Sequence, residues 1–329
     1  MRVLAVEEYG VFVGARRGMV VVRRGKEKIA EVSPANLDYV ILGTRGVSVS
    51  LDFMELMVRH AVPVFLASHG KPLALLTPFT QRHSVEAVKA QVKAQHSSLG
   101  AGIAARLVYA KIMNQARLLR RHADNAPRPR ALLEAAAAIA GEAEKALSTS
   151  ADSPGDARPR LMALEASAAR LYWEAYAQLV HPGWGFKGRV KKGACDPVNM
   201  ALNYMYALLA SHTWISIIRA GLDPWIGILH ADSQRRPALV YDLVEPFRQP
   251  AVDHVAARIY RREPSWQPGE CRLPKQERAI LQKEFWRGME KTVRVGGQRM
   301  ELRDAVLYHA RLVARTLLGE AEYRPFTWR

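Results

Sequence analysis

Four residues in this chain join chemical capacity to positions where their type is costly: Glu165, His230, Asp242 and Glu245. Glu165 lies in the apolar stripe of LMALEASAARLYWEAYAQLV, with Leu161 and Ala169 four residues away and Met162 and Ala168 three away. No basic residue stands at those spacings, so an ionised carboxylate there needs a cation from elsewhere, either a metal ion or one of the many arginines. His230 closes the apolar run WIGILH, and PALVYDLVEPFR carries Asp242 and Glu245 three residues apart, on one side of the turn if it is helical. Arg248 is a local partner for Glu245. Pro246 interrupts the backbone bonding beside it, which predicts a distorted turn with Glu245 at an accessible edge.

One imidazole with two carboxylates is an N/O donor set suited to Mn²⁺ or Mg²⁺, with positions left for water or phosphate. Taken singly, His230 has a plainer reading as a hydrogen-bonded structural residue and Glu165 as half of a long-range salt bridge. Charge points to the substrate. Lys and Arg number 48 against 31 Asp and Glu, and the resulting +17 favours a polyanion, by default nucleic acid, over a merely solubilising or heat-adapted surface. Together these features point to metal-assisted phosphodiester chemistry, in which the ion polarises a phosphate and readies a hydroxyl.

The basic residues around these acids are candidates for nucleic-acid contacts. Arg235 and Arg236 lie between His230 and Glu245 and suit phosphate, as does Arg248. Lys187, Arg189, Lys191 and Lys192 share a loop with Trp184 and Phe186, a mixture that could clamp a backbone and stack on a base. Asn199 and Asn203, four apart on the next helix, are read mainly as structural. Arg311, Arg315 and the aromatic, basic tail EYRPFTWR offer a further face for DNA or a protein partner.

These residues need elements to position them. Residues 1–78 read as a small mainly-β domain, with β-branched runs and Gly-containing turns in the manner of a meander, interrupted by one amphipathic helix near Leu51 to His60. Residues 79–329 read as a larger all-helical catalytic domain, so the fold class is α+β. In it, Ile103, Leu107, Ala110, Asn114 and Leu118 keep a helical period, and Pro127 and Pro129 break that helix. An alanine-rich helix runs from about Arg130 to Leu147, and a flexible loop is expected near 148–160. The following helix runs from about Pro159 to Leu179, and Asp196-Pro197 caps a central apolar helix that stops at Gly221. Two amphipathic helices separated by VGG close the chain.

The N-terminus, MRVLAVEEYG, carries two glutamates where a signal peptide would need an apolar core, and no window approaches about 18 uninterrupted apolar residues. The expectation is a cytoplasmic protein with no membrane partner. Cys195 and Cys271 are too few for a disulfide framework and lack zinc spacing, so ordinary thiols are expected.

LEASAARLYW around Glu165, the basic loop leading into DPVNMALNYMYALL, GILH with His230 and YDLVEPFR with Asp242 and Glu245 together resemble the integrase of the CRISPR adaptation module, the CRISPR-associated endonuclease. YGVFVG, GVSVS, the strand before GKPLALL and ARLVYAKIMNQARLLRR follow the family's order as well. The similarity spans most of the chain and is weakest over 122–160.

The resemblance implies a β-rich N-terminal domain for dimerisation and partner docking, a helical catalytic domain, and a prokaryotic homodimer that assembles with the small CRISPR-associated adaptation subunit. It places the divalent-metal triad on Glu165, His230 and Glu245, where family members carry either Asp or Glu at the last position. Asp242 falls on a supporting acidic position that orients His230 or a metal-bound water. The usual glycine after the first acid is Ala166 here. The implied reaction is transesterification, in which the 3′-hydroxyl of a spacer precursor attacks a phosphodiester at the repeat boundary, with DNA cleavage at the same site. The rival readings are a basic nucleic-acid scaffold without metal chemistry and a plain metal-dependent nuclease.

Overall fold

The computed structural model describes residues 3–6, 8–43, 46–68, 71–77, 84–266 and 271–328. The chain divides into two compact units, 1–82 and 83–329; the boundary read from sequence at 78/79 lies outside the described residues.

Among the described residues, the first unit holds two four-stranded sheets. β2 (Phe12–Arg16), β3 (Met19–Arg24) and β4 (Glu27–Val32) form the expected antiparallel meander, and β6 (Ser48–Val49) adds to β2 in parallel. The second sheet departs from a meander. β1 (Val3–Val6), β5 (Tyr39–Leu42) and β7 (Val64–Ser68) run parallel, and only β8 (Lys71–Leu76) is antiparallel to its neighbour. Parallel strands need a crossover, and helix α1 (Leu51–Arg59) lies in the one between β5 and β7. All four residues of β5 are buried, as suits a central strand covered on both faces. Ser50 caps α1 by accepting the Phe53 N–H.

The second unit is mainly helical. Helices α2 (Val85–Ala94), α3 (Ser98–Ala123), α4 (Pro129–Leu147), α5 (Pro154–Tyr176) and α6 (Pro197–Arg219) follow in order. α5 begins inside the stretch expected to be a flexible loop near 148–160. Ser153 accepts the Asp156 N–H as N-cap and Pro154 opens the helix, so only 148–153 lie between α4 and α5. Pro159 is tolerated six residues in because it forfeits one early bond. Asp196 caps α6 as expected, accepting the Asn199 N–H at 2.8 Å. α6 is buried along most of its length.

One run holds the distorted turn. α7 (Ala238–Val244) passes into a 3₁₀ turn over Glu245–Phe247, a π turn over Gln249–Asp253 and then α8 (His254–Ile259). Pro246 and Pro250 each lack the N–H that a regular helix would use. The Pro246 carbonyl, left without the Pro250 donor, accepts Asn114 Nδ2 of α3 at 2.7 Å.

Helices α9 (Lys275–Met289) and α10 (Leu302–Leu317) complete the helical set. The domain is not all-helical, because a hairpin of β9 (Thr292–Val295) and β10 (Gln298–Glu301) stands between them. Gly296 and Gly297 both adopt positive φ, 56° and 84°, which a two-residue hairpin turn requires. The tail folds back on the domain rather than standing free. Phe326 stacks on Phe247 with ring centroids 4.9 Å apart, Trp328 N–H donates to Asn114 Oδ1 at 2.7 Å, and Tyr323 and Phe326 are buried. Among the described residues, no helix is long and apolar enough to cross a membrane.

The cysteines are not free thiols. Cys195 and Cys271 form a disulfide with their Cα atoms 4.4 Å apart, tying the segment before α6 to the segment before α9. Their separation of 76 residues hides this pairing from any local spacing rule.

Candidate active site

Helices α3, α5 and the α7 run bring three charges together. Lys111 Nζ lies 2.6 Å from Glu165 Oε1 and 2.6 Å from Glu245 Oε2. The cation that Glu165 requires is therefore a lysine from α3, not an arginine. Arg248 adds a second, with Nη2 3.2 Å from Glu245 Oε1. Glu245 is buried, not at an accessible edge; its side chain is 4% exposed and that of Lys111 8%. Burial pushes the Glu245 carboxyl up, but the charges of Arg248 and then Lys111 outweigh it and hold the group well below the usual carboxylate range. Lys111 escaped the sequence reading although a signal was present. It stands four residues after Leu107 and three before Asn114, a charge inside the apolar stripe of α3.

Asp242 builds the loop that carries His230. Its Oδ2 accepts the backbone N–H groups of Ile228 and Leu229 at 2.6 and 2.9 Å, and its Oδ1 accepts His230 N–H at 2.9 Å and His230 Nδ1 at 2.6 Å. Four donors satisfy a carboxylate that is fully buried. Arg158 Nε holds the same loop from α5, donating to the Leu229 carbonyl at 2.7 Å. The chain passes so close at Gly227 that an added Cβ would meet the His230 carbonyl oxygen at 2.3 Å. With Nδ1 committed to Asp242, the outer nitrogen of His230 is the one left for a ligand. The hydrogen bond to Asp242 raises the His230 pKa above its ordinary value; burial opposes, and the charges of Asp242, Glu245 and Glu165 add to the rise.

Two features fit a divalent cation. The Glu165 and Glu245 carboxylates already converge on one positive charge, and Glu165 Oε2 is buried with no hydrogen-bond partner. Glu165, Glu245 and His230 are the residues that could hold it. Among the described residues, though, no three His, Cys, Asp or Glu side chains stand together as a ready metal cage. The centre of the carboxylate pair belongs to Lys111.

The basic residues divide into two groups. Arg235 and Arg236 are exposed on the turn after His230, and Lys187, Lys191 and Lys192 are exposed on the loop before α6. Lys191 lies within the field of Arg248, Lys111 and Glu245; partial desolvation of its side chain first, then the two cations, lower its pKa. Arg189 and Arg248, expected to contact nucleic acid, are engaged within the chain. Arg189 donates to Asn199 Oδ1 at 3.0 Å and Asn203 Oδ1 at 2.6 Å, and both guanidinium groups lie over the Tyr206 ring, at 5.3 and 4.9 Å. The two asparagines thus have the structural role read for them. Asn199 Oδ1 also accepts the Val190 N–H, and Asn203 Nδ2 donates to the Lys191 carbonyl, so the basic loop is pinned to α6. Trp184 and Phe186 cannot stack on a base. Both are buried, Trp184 donating to the Arg262 carbonyl and Phe186 packed against Trp173 and Tyr176.

Residues 4–286 match the family model described as CRISPR associated protein Cas1. The chain belongs to the Cas1 family. It is 34% identical to the CRISPR-associated endonuclease Cas1 1 of Pyrobaculum aerophilum, over 87% of this chain and 90% of that one. It is 30% identical to the CRISPR-associated endonuclease Cas1 2 of Saccharolobus solfataricus, over 99% and 98%. Among solved structures, a casposase bound to integration product shares the fold at TM-score 0.79 and 21% identity, covering 99% of this chain and 93% of that one. A Cas1 protein from Thermotoga maritima shares it at TM-score 0.76 and 17% identity, covering 98% and 99%. A chain of a Cas6-RT-Cas1–Cas2 complex shares it at TM-score 0.75 and 20% identity, covering 99% of this chain and 36% of that one.

Proposed function

We propose that this chain is a metal-dependent DNA endonuclease and integrase that inserts spacer DNA into a CRISPR array. The observation that carries this reading is the convergence of Glu165 and Glu245 on one cation, with the field of both carboxylates reaching a histidine locked by Asp242, in a strongly basic protein. The naming of its relatives as CRISPR-associated endonucleases supports the nuclease half, and the fold shared with a casposase bound to integration product supports the joining half. Glu165, His230 and Glu245 would hold Mn²⁺ or Mg²⁺, which when bound supplies Lewis-acid polarisation of the phosphate and charge stabilisation for the departing oxygen. Asp242 keeps the outer nitrogen of His230 presented. Arg235 and Arg236 would bind phosphates flanking the reacting one. A 3′-hydroxyl of the spacer loses its proton and attacks phosphorus, and the bond to the departing strand's 3′-oxygen breaks as that oxygen takes up a proton. One phosphodiester replaces another, so no energy-carrying cofactor is needed.

The partners follow from the same reading: DNA as substrate, a second copy of this chain, and a small Cas2-type subunit, in keeping with the Cas6-RT-Cas1–Cas2 complex that shares the fold. The test is strand transfer of a short duplex with free 3′-hydroxyls into a repeat-bearing plasmid with Mn²⁺ or Mg²⁺. Joined product from wild type and none from Glu165→Ala is expected; equal joining would discard the triad, and hydrolysis alone would leave a plain nuclease. The closure of both glutamates on Lys111 and Arg248 also suits a second reading, a basic DNA-binding scaffold whose acids are structural. That reading requires every activity to survive EDTA.

A further inference from the structure

The acidic cluster balances its own charge. Glu165 and Glu245 bring two negative charges, and Lys111 and Arg248 bring two positive ones within 2.6 to 3.2 Å of them. The side chains are 4% to 20% exposed, so water screens them little. A divalent cation added to this arrangement would leave two positive charges uncompensated in a poorly solvated pocket, which is costly. Relief requires the Lys111 ammonium to leave the carboxylates, an anion to enter, or both.

The two cations differ in their freedom to move. Arg248 is held over the Tyr206 ring at 4.9 Å as well as by Glu245, and its planar fork suits a fixed pairing. Lys111 is a point charge on a flexible four-carbon stem, held among the described residues by the two carboxylates. It occupies the position between Glu165 and Glu245 that a shared cation would take. The anion to draw it away is at hand in the substrate, since each phosphodiester brings one negative charge and Arg235 and Arg236 stand exposed on the turn that follows His230.

We propose that Lys111 is a built-in counter-ion that keeps the carboxylates closed against divalent metal until a DNA backbone arrives, when its ammonium transfers from the carboxylates to a phosphate. Metal and DNA then bind with positive coupling, each raising the affinity for the other by the same factor. The inference rests on the metal reading of Glu165, His230 and Glu245.

The test is Mn²⁺ binding to the full chain, read from the electron-paramagnetic-resonance signal of free Mn²⁺, with and without a short DNA duplex. His230→Ala serves as the reference that removes binding to DNA and to unrelated sites. Wild type is expected to bind Mn²⁺ at least tenfold more tightly with DNA than without. Lys111→Met is expected to bind at least tenfold more tightly than wild type in the absence of DNA and to lose most of the DNA dependence. Because Lys111→Met leaves two buried carboxylates without their cation, its melting temperature is followed by circular dichroism with and without Mn²⁺; a larger Mn²⁺-induced rise than in wild type supports the proposal. If the variant does not fold, the wild-type comparison decides. Mn²⁺ affinity at the His230-dependent site that is indifferent to DNA, or no tighter in folded Lys111→Met, overturns the counter-ion role and leaves the metal reading standing. No His230-dependent Mn²⁺ binding in any form, with or without DNA, overturns both.

Discussion

Asp242 grips His230 twice through one oxygen, accepting its Nδ1 at 2.6 Å and its backbone N–H at 2.9 Å. The side chain and the loop that bears it are thus set by a single buried carboxylate. Asp242→Asn turns one of the two acceptor atoms into a donor facing donors. A stability loss of roughly 2–4 kcal/mol by urea unfolding is expected, since a buried hydrogen-bonded charge is being replaced. Strand transfer should fall about 10- to 100-fold, the usual cost of losing such a supporting contact. Full activity in a folded Asp242→Asn protein would show that the His230 orientation does not matter.

The arginines around the site should separate by experiment into two kinds. Arg235→Ala with Arg236→Ala removes exposed charges; DNA binding should weaken and its log–log salt slope fall by about two, with stability almost unchanged. Arg248→Ala removes one of the two cations on buried Glu245 and should cost about 3 kcal/mol in unfolding. Equal effects of the two changes on the salt slope would place Arg248 on the DNA instead.

Acid should destabilise the helical domain through histidines buried as neutral rings. Burial lowers His122 to about 4, His254 to about 3 and His309 to about 3 from an ordinary 6.5. All three are neutral in folded and unfolded chains above 6.5, so no stability is lost there. As pH falls below 6.5 the unfolded chain binds protons that the folded chain refuses, and stability declines down to pH 3–4. Asp253 works the other way. Burial raises it to about 6 from 3.8, so a cost present above pH 6 is relieved on acidification. Three histidines outweigh one aspartate, and the urea midpoint should drop between pH 6.5 and 4.5. His309→Phe, which removes ring nitrogens that have no partner, should reduce the slope by up to one proton, about 1.4 kcal/mol per pH unit.

Reduction should loosen the chain between α6 and α9. Opening a loop of 76 residues' separation releases unfolded-state entropy worth about 4 kcal/mol in the chain-entropy account. Cys195→Ser, or wild type in excess dithiothreitol, should therefore unfold at lower urea than the oxidised protein. Identical midpoints, with free thiols counted at two after denaturation of the untreated protein, would mean that the bond does not form.

The local grammar of the chain was readable. The Asp196 cap, the proline that opens α6, the helical period of α3 and the distorted turn at Pro246 all depend on neighbours within a few residues. The need of Glu165 for a distant cation was readable too, since an apolar stripe with no basic residue at helical spacing states it. The identity of that cation was not, because Lys111 is 54 positions away on another helix. Trp184 and Phe186 were misread, and the contacts that hold Arg189 within the chain were missed, for a related reason. Their loop has the composition of an exposed nucleic-acid clamp, yet Trp173, Tyr176, Asn199 and Asn203 take them inward. The β9–β10 hairpin was masked by its length, two strands of four residues being too short to show a period of two.

By itself, the sequence determined most of the long helices, where several of them stop, and that Glu165 cannot remain alone in its apolar setting. These follow from short-range hydrogen bonding and from the fixed periods of 3.6 and 2. The tertiary structure decided which cation meets which acid, that Asp242 serves His230 while Glu245 faces Lys111, and that Cys195 meets Cys271. Those pairings join residues far apart in the chain, and their geometry arises only when the packing of helices commits each side chain to one direction.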